Sequence, residues 1–252
     1  MPNIVTKVIR HLPNTPLIAI WLVQRRSLKR YFSSDSSLPD FSTAVAESVG
    51  LRQQQEDRLT RILSRHSGGA FAEIGIGPQP NLARHAMLAK NDISYTGVDF
   101  SSVCALHAKA IKDNGLHRPD IELIGNTCGT YAWNLAKMAS DRRMFDAIYF
   151  DGHHTFYVDL PAAILATRLV RPGGTLIFDD YLWTMSLLAR NMHASFPAWK
   201  FYRKMYDFSQ YDADQIATPH IKMIVDDILI RDMGFKRDED LSLPGWIVLT
   251  AP

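Results

Sequence analysis

Three short runs in this chain carry residue types that could do chemistry. Residues 150–156 read FDGHHTF and place Asp151, His153 and His154 in one turn. Residues 177–180 read IFDD and end in the adjacent carboxylates Asp179 and Asp180. Residues 73–80 read EIGIGPQP, with Gly75 and Gly77 two apart and the acid Glu73 just before them. A carboxylate beside two imidazoles can bind a metal, take a proton near neutral pH, or make a polar turn. The residue types leave these three open.

The elements that must hold these runs are legible as alternating patterns. Apolar segments at 70–77, 93–100, 121–126, 145–152 and 173–180 read as strands. Helical patterns at 81–90, 101–114, 128–139 and 158–170 separate them. Residues 219–234 read as a helix ending at a glycine, and 245–251 as a last strand. Near-continuous apolar strands separated by helices imply an α/β fold, with a mostly parallel, doubly wound sheet covered on both faces. In such a sheet, ligands gather beyond the carboxyl ends of the strands, where these three runs lie.

Gly75 and Gly77 let the backbone approach a ligand closely. Asp99, at the end of the second strand, can accept both hydroxyls of a ribose. The pair points to a nucleoside-containing cofactor. A dinucleotide site would need a third glycine where Pro80 stands. Glu73 suits a cationic ligand better than a diphosphate. S-adenosylmethionine, which carries a sulfonium and an ammonium but no phosphate, fits that requirement.

EIGIGP, GVDFS (97–101), GN (125–126), FDAIYFDGHH and RPGGTLIFDDY (171–181) together resemble the class I S-adenosylmethionine-dependent methyltransferases. The subgroup they most resemble is that of the macrocin and rhamnosyl O-methyltransferases, with a D-G-x-H turn and paired acids after P-G-G. The resemblance implies a Rossmann-like sheet with a final antiparallel strand. It implies cofactor contacts from Glu73, Gly75, Gly77, Asp99, Phe100, Ser101, Asn126 and Thr127. It departs from the family at Gln79–Pro80, where a small residue is usual, and at Asn126, where an acid often holds the adenine amino group. An asparagine oxygen can accept the same hydrogen bond.

In that fold the fourth and fifth strands are neighbours, so Asp151, Asp179 and Asp180 converge. Three crowded carboxylates raise one another's pKa, and a divalent cation removes the penalty. Oxygen ligands imply Mg²⁺, or Mn²⁺, with zinc less suited because no cysteine or metal-spaced histidine pair is present. The metal would activate an acceptor hydroxyl. His154, the motif's histidine, would be the base, with Asp151 able to share that role, and His153 a bystander. The expected reaction is methyl transfer to a hydroxyl of a sugar or glycosylated small molecule. A catechol offers two oxygens in the same way and is the near alternative. Asp212-Ala213-Asp214 matches the D-x-D of glycosyltransferases, a weaker pattern, and a non-catalytic binding protein on the same fold is the remaining alternative.

Composition narrows the partners. The chain has 252 residues, 46% of them hydrophobic and 21% charged, with a formal charge of +2. That supports a large core and gives no basic, aromatic-interleaved stripe for nucleic acid. The only cysteines, Cys104 and Cys128, form no CxxC and fit a reducing cytoplasm. Residues 1–32 hold six basic residues and no acid, around the apolar run LIAIWLV (17–23), which is too short to span a bilayer. Residues 1–50 thus read as a basic arm and linker, and 51–252 as the methyltransferase domain. The arm would pack on the body or on a second copy in a homo-oligomer, or rest on a membrane surface. The aromatic-rich stretch near 181–218 reads as a lid or pocket wall.

Overall fold

A computed structural model describes residues 41–126, 131–186 and 211–252. The basic arm, the Ser-rich linker at 33–40, Thr127 and most of the aromatic stretch lie outside the described residues. The chain divides into two compact units, residues 1–41 with 184–219, and residues 42–183 with 220–252.

The larger unit is built on seven strands: β1 (Ala70–Ile74), β2 (Ser94–Phe100), β3 (Ile121–Asn126), β4 (Phe145–Phe150), β5 (Val170–Phe178), β6 (Lys236–Arg237) and β7 (Ile247–Thr250). They form one sheet in the order β3-β2-β1-β4-β5-β7-β6. The first five run parallel, and β7 is antiparallel to both β5 and β6. The sheet is therefore α/β, mostly parallel and doubly wound, with a closing antiparallel strand as expected. The two-residue β6 was not anticipated. Strand order reverses between β1 and β4, and that is where a ligand crevice opens in such sheets.

Five helices cover the sheet: α1 (Phe41–Arg65), α2 (Leu82–Lys90), α3 (Ser101–Asp113), α4 (Ala132–Ser140) and α5 (Phe156–Thr167). Helix α1 crosses the boundary placed at residue 50, because Gly50 is tolerated inside it. In the smaller unit, α6 (Ala213–Ala217) is a single short helix. Helix α7 (His220–Met223) widens into a π-helical segment, Ile224–Asp232, before Gly234 at φ +77°.

Alternation along the strands sends side chains into two cores. Ala72, Ile74, Ile148, Phe150, Leu176 and Phe178 pack with α4, α5 and the π-helical segment. Phe71, Ala147, Tyr149 and Ile177 pack on the opposite side with Leu59, Ile62 and Leu63 of α1 and Leu88 of α2. Burying those three α1 side chains contributes about 1.5–3 kcal/mol each, an upper estimate. The period of two also decides where the site's acids point. Glu73 shares the face of Phe71, and Asp179 that of Ile177 and Tyr149.

Among the described residues no helix is long and apolar enough to cross a membrane.

Candidate active site

The glycine turn begins where β1 ends. Gly75 has φ +82° and donates its N–H to the Val98 carbonyl at 2.9 Å. A Cβ there would overlap the Asp151 carbonyl oxygen, so only glycine allows this approach. The Asp151 N–H in turn donates to the Ile74 carbonyl at 2.9 Å. The glycine turn and the D-G-H-H turn are thus one joined surface. Gly77, at φ +65°, has open space where a side chain would be. Its N–H donates to Asp99 Oδ2 at 3.0 Å, and its carbonyl meets His107 Nε2 at 2.8 Å. Asp99 Oδ1 accepts the Phe100 N–H at 2.6 Å. Each Asp99 oxygen keeps a second lone pair for a ligand hydroxyl.

Phe100, half-exposed, and Ser101 sit where β2 passes into α3. Gly125 lets β3 come so close that a Cβ would lie 2.6 Å from Ser101 Cα. Asn126 is in register with Phe100, and its Oδ1 accepts from Asn134 Nδ2 at 3.3 Å. Sequence reading had reserved that oxygen for adenine; one of its lone pairs is taken.

Glu73 departs from its expected role. Its carboxylate is buried under the turn, ion-paired with Arg84 and accepting Tyr95 Oη at 2.9 Å. Arg84 also binds Glu56 of α1 at 2.6 Å and lies over the Tyr149 ring at 5.2 Å. The alternation that sends Glu73 to the face of α1 and α2 leaves it supporting the turn from below, with its charge met by Arg84.

The acidic turns meet as the strand order requires. β4 and β5 pair in register, with Phe150 opposite Phe178, so Asp151 and Asp179 each stand one residue beyond the pair. His154, at φ +61°, folds back so that Nε2 lies 3.2 Å from Asp180 Oδ2 and 3.7 Å from Asp151 Oδ1. Its ring lies 5.3 Å from that of Trp183. Asp151, His154 and Asp180 each offer a ligand atom, all within 4.8 Å of one another. Asp179 does not join them. Its Oδ2 accepts Tyr149 Oη at 2.7 Å, and its Oδ1 accepts the Asp180 N–H at 2.8 Å and Gln55 Nε2 at 3.4 Å. Of the three expected carboxylates, Asp151 and Asp180 stand together beside His154, and Asp179 is turned into the hydrogen bonds that shape the turn.

The charges are tuned by burial and by one another. Burial raises the pKa of Asp151 well above the usual carboxylate value, and Asp179 and Asp180 add to the rise. Asp179 is raised by burial and by Asp180. Burial pushes Asp180 up to about 6. Burial lowers His154 to about 4, so its ring is neutral at pH 7.

Supporting residues that the sequence reading passed over complete the turn. Asp159 is buried in the first turn of α5 and accepts the N–H groups of His153 at 3.2 Å and Thr155 at 2.9 Å. His153 Nδ1 is 2.7 Å from Thr155 Oγ1, a local contact consistent with a residue outside the cluster. His220 accepts the Phe156 N–H at 3.1 Å on Nδ1. Asp212, the first acid of the D-x-D, is the N-cap of α6, and its N–H donates to Gln215 at 2.9 Å.

No described protein family matches the chain, and no curated protein matches it in sequence. Solved structures similar to it are methyltransferases. One is an O-methyltransferase from Bacillus cereus in complex with SAH, 13% identical, covering 99% of this chain and 97% of that one at a TM-score of 0.49. Another, described as a candidate caffeoyl-CoA O-methyltransferase from Staphylococcus aureus, is 12% identical over 92% of this chain and 100% of that one, also at 0.49. The MycE methyltransferase of the mycinamycin biosynthetic pathway, with Mg and SAH, is 16% identical over 90% of this chain and 55% of that one, at 0.45. At such identities and scores, function has to be argued from the site's own residues.

Proposed function

We propose that this chain is an S-adenosylmethionine-dependent O-methyltransferase that uses a divalent cation and acts on a hydroxyl of a sugar or glycosylated small molecule. The observation that carries the reading is the seam between the turns: Gly75 packs directly on Asp151, so a nucleoside pocket and an acid–imidazole cluster share one wall.

The pocket suits a nucleoside without phosphates. Asp99 would accept ribose hydroxyls, Gly77 faces open space, and Phe100, Ser101 and Asn126 follow along the ends of β2 and β3. Helix α2, which a dinucleotide would use for its pyrophosphate, is capped by Asn81, whose Oδ1 accepts the Arg84 N–H at 3.0 Å. Its first turn also carries Arg84, already neutralised by two glutamates. S-adenosylmethionine would supply a methyl group on a sulfonium, ready for in-line displacement.

Asp151 and Asp180 would hold Mg²⁺ or Mn²⁺, with Asp179 fixing the turn behind them. When bound there, such an ion would relieve the carboxylates' mutual repulsion and would lower the pKa of an acceptor hydroxyl. With Asp180 turned to the ion, His154, neutral at pH 7, would take the acceptor's proton on Nε2 in the tautomer that carries its hydrogen on Nδ1. With a pKa near 4 it is a weak acceptor, so the larger share of rate comes from orientation and from acidifying the hydroxyl. Asp151 is placed to assist. The D-x-D alternative loses force because Asp212 serves as a helix cap.

The test is calorimetry with S-adenosylmethionine, with and without Mg²⁺, followed by labelled methyl transfer to a panel of sugars and catechols. Cofactor binding and transfer to sugars are expected. Asp180→Ala should keep cofactor binding and lose transfer. Methylation of catechols alone would remove the sugar reading, and undiminished transfer by Asp180→Ala would remove the metal.

A further inference from the structure

A second concavity lies at the carboxyl edge of the sheet, beyond β5 on the side away from β4. It measures about 280 Å³, near the ~300 Å³ lower end of small-molecule pockets. Tyr181, Leu182, Arg237, Glu239, Ser242 and Pro244 line it. Its wall begins one residue after Asp180, about 3.8 Å along the chain. The Tyr181 N–H donates to the Gly245 carbonyl at 2.9 Å, which ties that wall to the hairpin before β7.

The lining is built and polar. Tyr181 is buried, and its hydroxyl lies 2.7 Å from Asp226 Oδ2, 2.8 Å from Arg237 Nη2 and 3.1 Å from Lys222 Nζ. Arg237 commits only Nη2, to Tyr181 and Asp226. Among the described residues its Nε and Nη1 donate no hydrogen bond, although the residue borders the cavity. Ser242 Oγ accepts the Val248 N–H at 3.0 Å, which leaves its own proton to give. Glu239 adds an acceptor, and Leu182, 52% exposed, and Pro244 add apolar surface.

The charges identify the ligand class. The lining holds one cation and one acid, Arg237 and Glu239, and behind it Lys222 and Arg237 both pair with Asp226. A balanced site holds no surplus for an anion. Forked donors and acceptors beside small apolar surfaces suit the vicinal hydroxyls and the C–H face of a neutral sugar ring. An aromatic diol would leave several of these groups unpaired, which is costly.

We infer that this cavity is a subsite for a neutral sugar ring of the acceptor, recognised by Arg237, Glu239 and Ser242. The subsite rests on the methyl-transfer reading for its purpose but not for its binding. The test uses the full chain without cofactor. Saturation-transfer NMR is recorded with methyl hexopyranosides and, as anionic controls, the matching methyl hexuronates. The neutral glycosides should bind. Glu239→Gln should weaken them about tenfold. Leu182→Trp, which fills the cavity, should abolish the signal. Thermal unfolding midpoints matching the parent will show that both variants are folded. The inference is overturned if no neutral glycoside binds, if the hexuronates bind better, or if Leu182→Trp leaves the signal intact. Glycoside binding that Leu182→Trp removes, without any methyl transfer, would keep the subsite and sink the transferase reading. Transfer to glycosides with KM unchanged in both variants would do the reverse.

Discussion

Tyr149 donates its phenolic hydrogen to Asp179 Oδ2 at 2.7 Å, and Asp180 turns the other way to meet His154 Nε2 at 3.2 Å. Two adjacent carboxylates, indistinguishable in sequence, are thereby given different work. Asp179 braces the turn and Asp180 faces the crevice.

If the acid cluster binds a cation as proposed, removing the brace should weaken that binding. Tyr149→Phe deletes one hydroxyl and leaves the packing intact. Groups that orient a metal's ligands typically contribute about 10–100-fold in affinity. Mn²⁺ affinity, read by electron paramagnetic resonance, should fall by about tenfold in Tyr149→Phe. Affinity equal to that of the parent would return Asp179 to the ligand set.

The cluster should leave a signature in stability against pH. Asp180 has a folded pKa raised to about 6, above its ordinary value of 3.8, so the folded state binds more protons between the two. Its contribution to stability is therefore lost as pH rises through that window. His154 has the opposite sign. Its pKa, lowered from 6.5 to about 4, makes stability rise with pH over nearly the same range. Asp151 and Asp179, raised as well, add to the falling slope. In metal-free urea unfolding, Asp180→Asn should therefore lose stability with rising pH less steeply than the parent between about pH 4 and 6, and His154→Gln should lose it more steeply between about pH 4 and 6.5. Identical profiles for the two variants would refute this assignment.

Mg²⁺ added above pH 6 should stabilise the folded state, by about 2.7 kcal/mol at one hundred times its Kd. The gain should vanish in Asp180→Asn. Thermal unfolding at fixed pH measures both.

Two glycines of the same turn should differ sharply. Gly77→Ala meets open space and suffers only its left-handed backbone, about 1–2 kcal/mol. Gly75→Ala adds a clash with the Asp151 carbonyl and forces β1 and β4 apart at their ends. It should cost well over twice as much in chemical unfolding and lose both cofactor and metal binding. Equal costs would show that the seam yields.

Arg84→Met should destabilise the protein by about 3–5 kcal/mol, because it leaves Glu73 charged and buried. Both side chains are only 10% exposed. Pairing the change with Glu73→Gln should recover much of the loss. No recovery would mean that Arg84 acts through Tyr149 or Glu56 instead.

Most of the sheet was readable because each strand is a run of apolar residues closed by a polar turn. Beyond the chain of strands, long-range partners decide, and they leave no local spacing. Glu73 looks the same in sequence whether it meets a ligand or Arg84. Its face is set by alternation with Phe71 and by which helices cover that face. Gln55 and Asp179 touch across 124 residues, and His220 reaches Phe156 across 64. His154 was recognised through its motif, yet its place among the ligand atoms follows from a positive φ that a histidine seldom adopts. The D-x-D was a local match whose geometry belongs to a helix end.

The seam between Gly75 and Asp151 also constrains how the protein is made. The strands it joins, β1 and β4, are neighbours in space but are separated along the chain by β2, β3 and their helices. A nascent chain therefore emerges with its glycine turn complete and no wall to close it. Neither pocket exists until β4 inserts beside β1, and the acid cluster waits further for β5. The acid–imidazole cluster is therefore completed only when β5 is in place, and partly synthesised chains lack it.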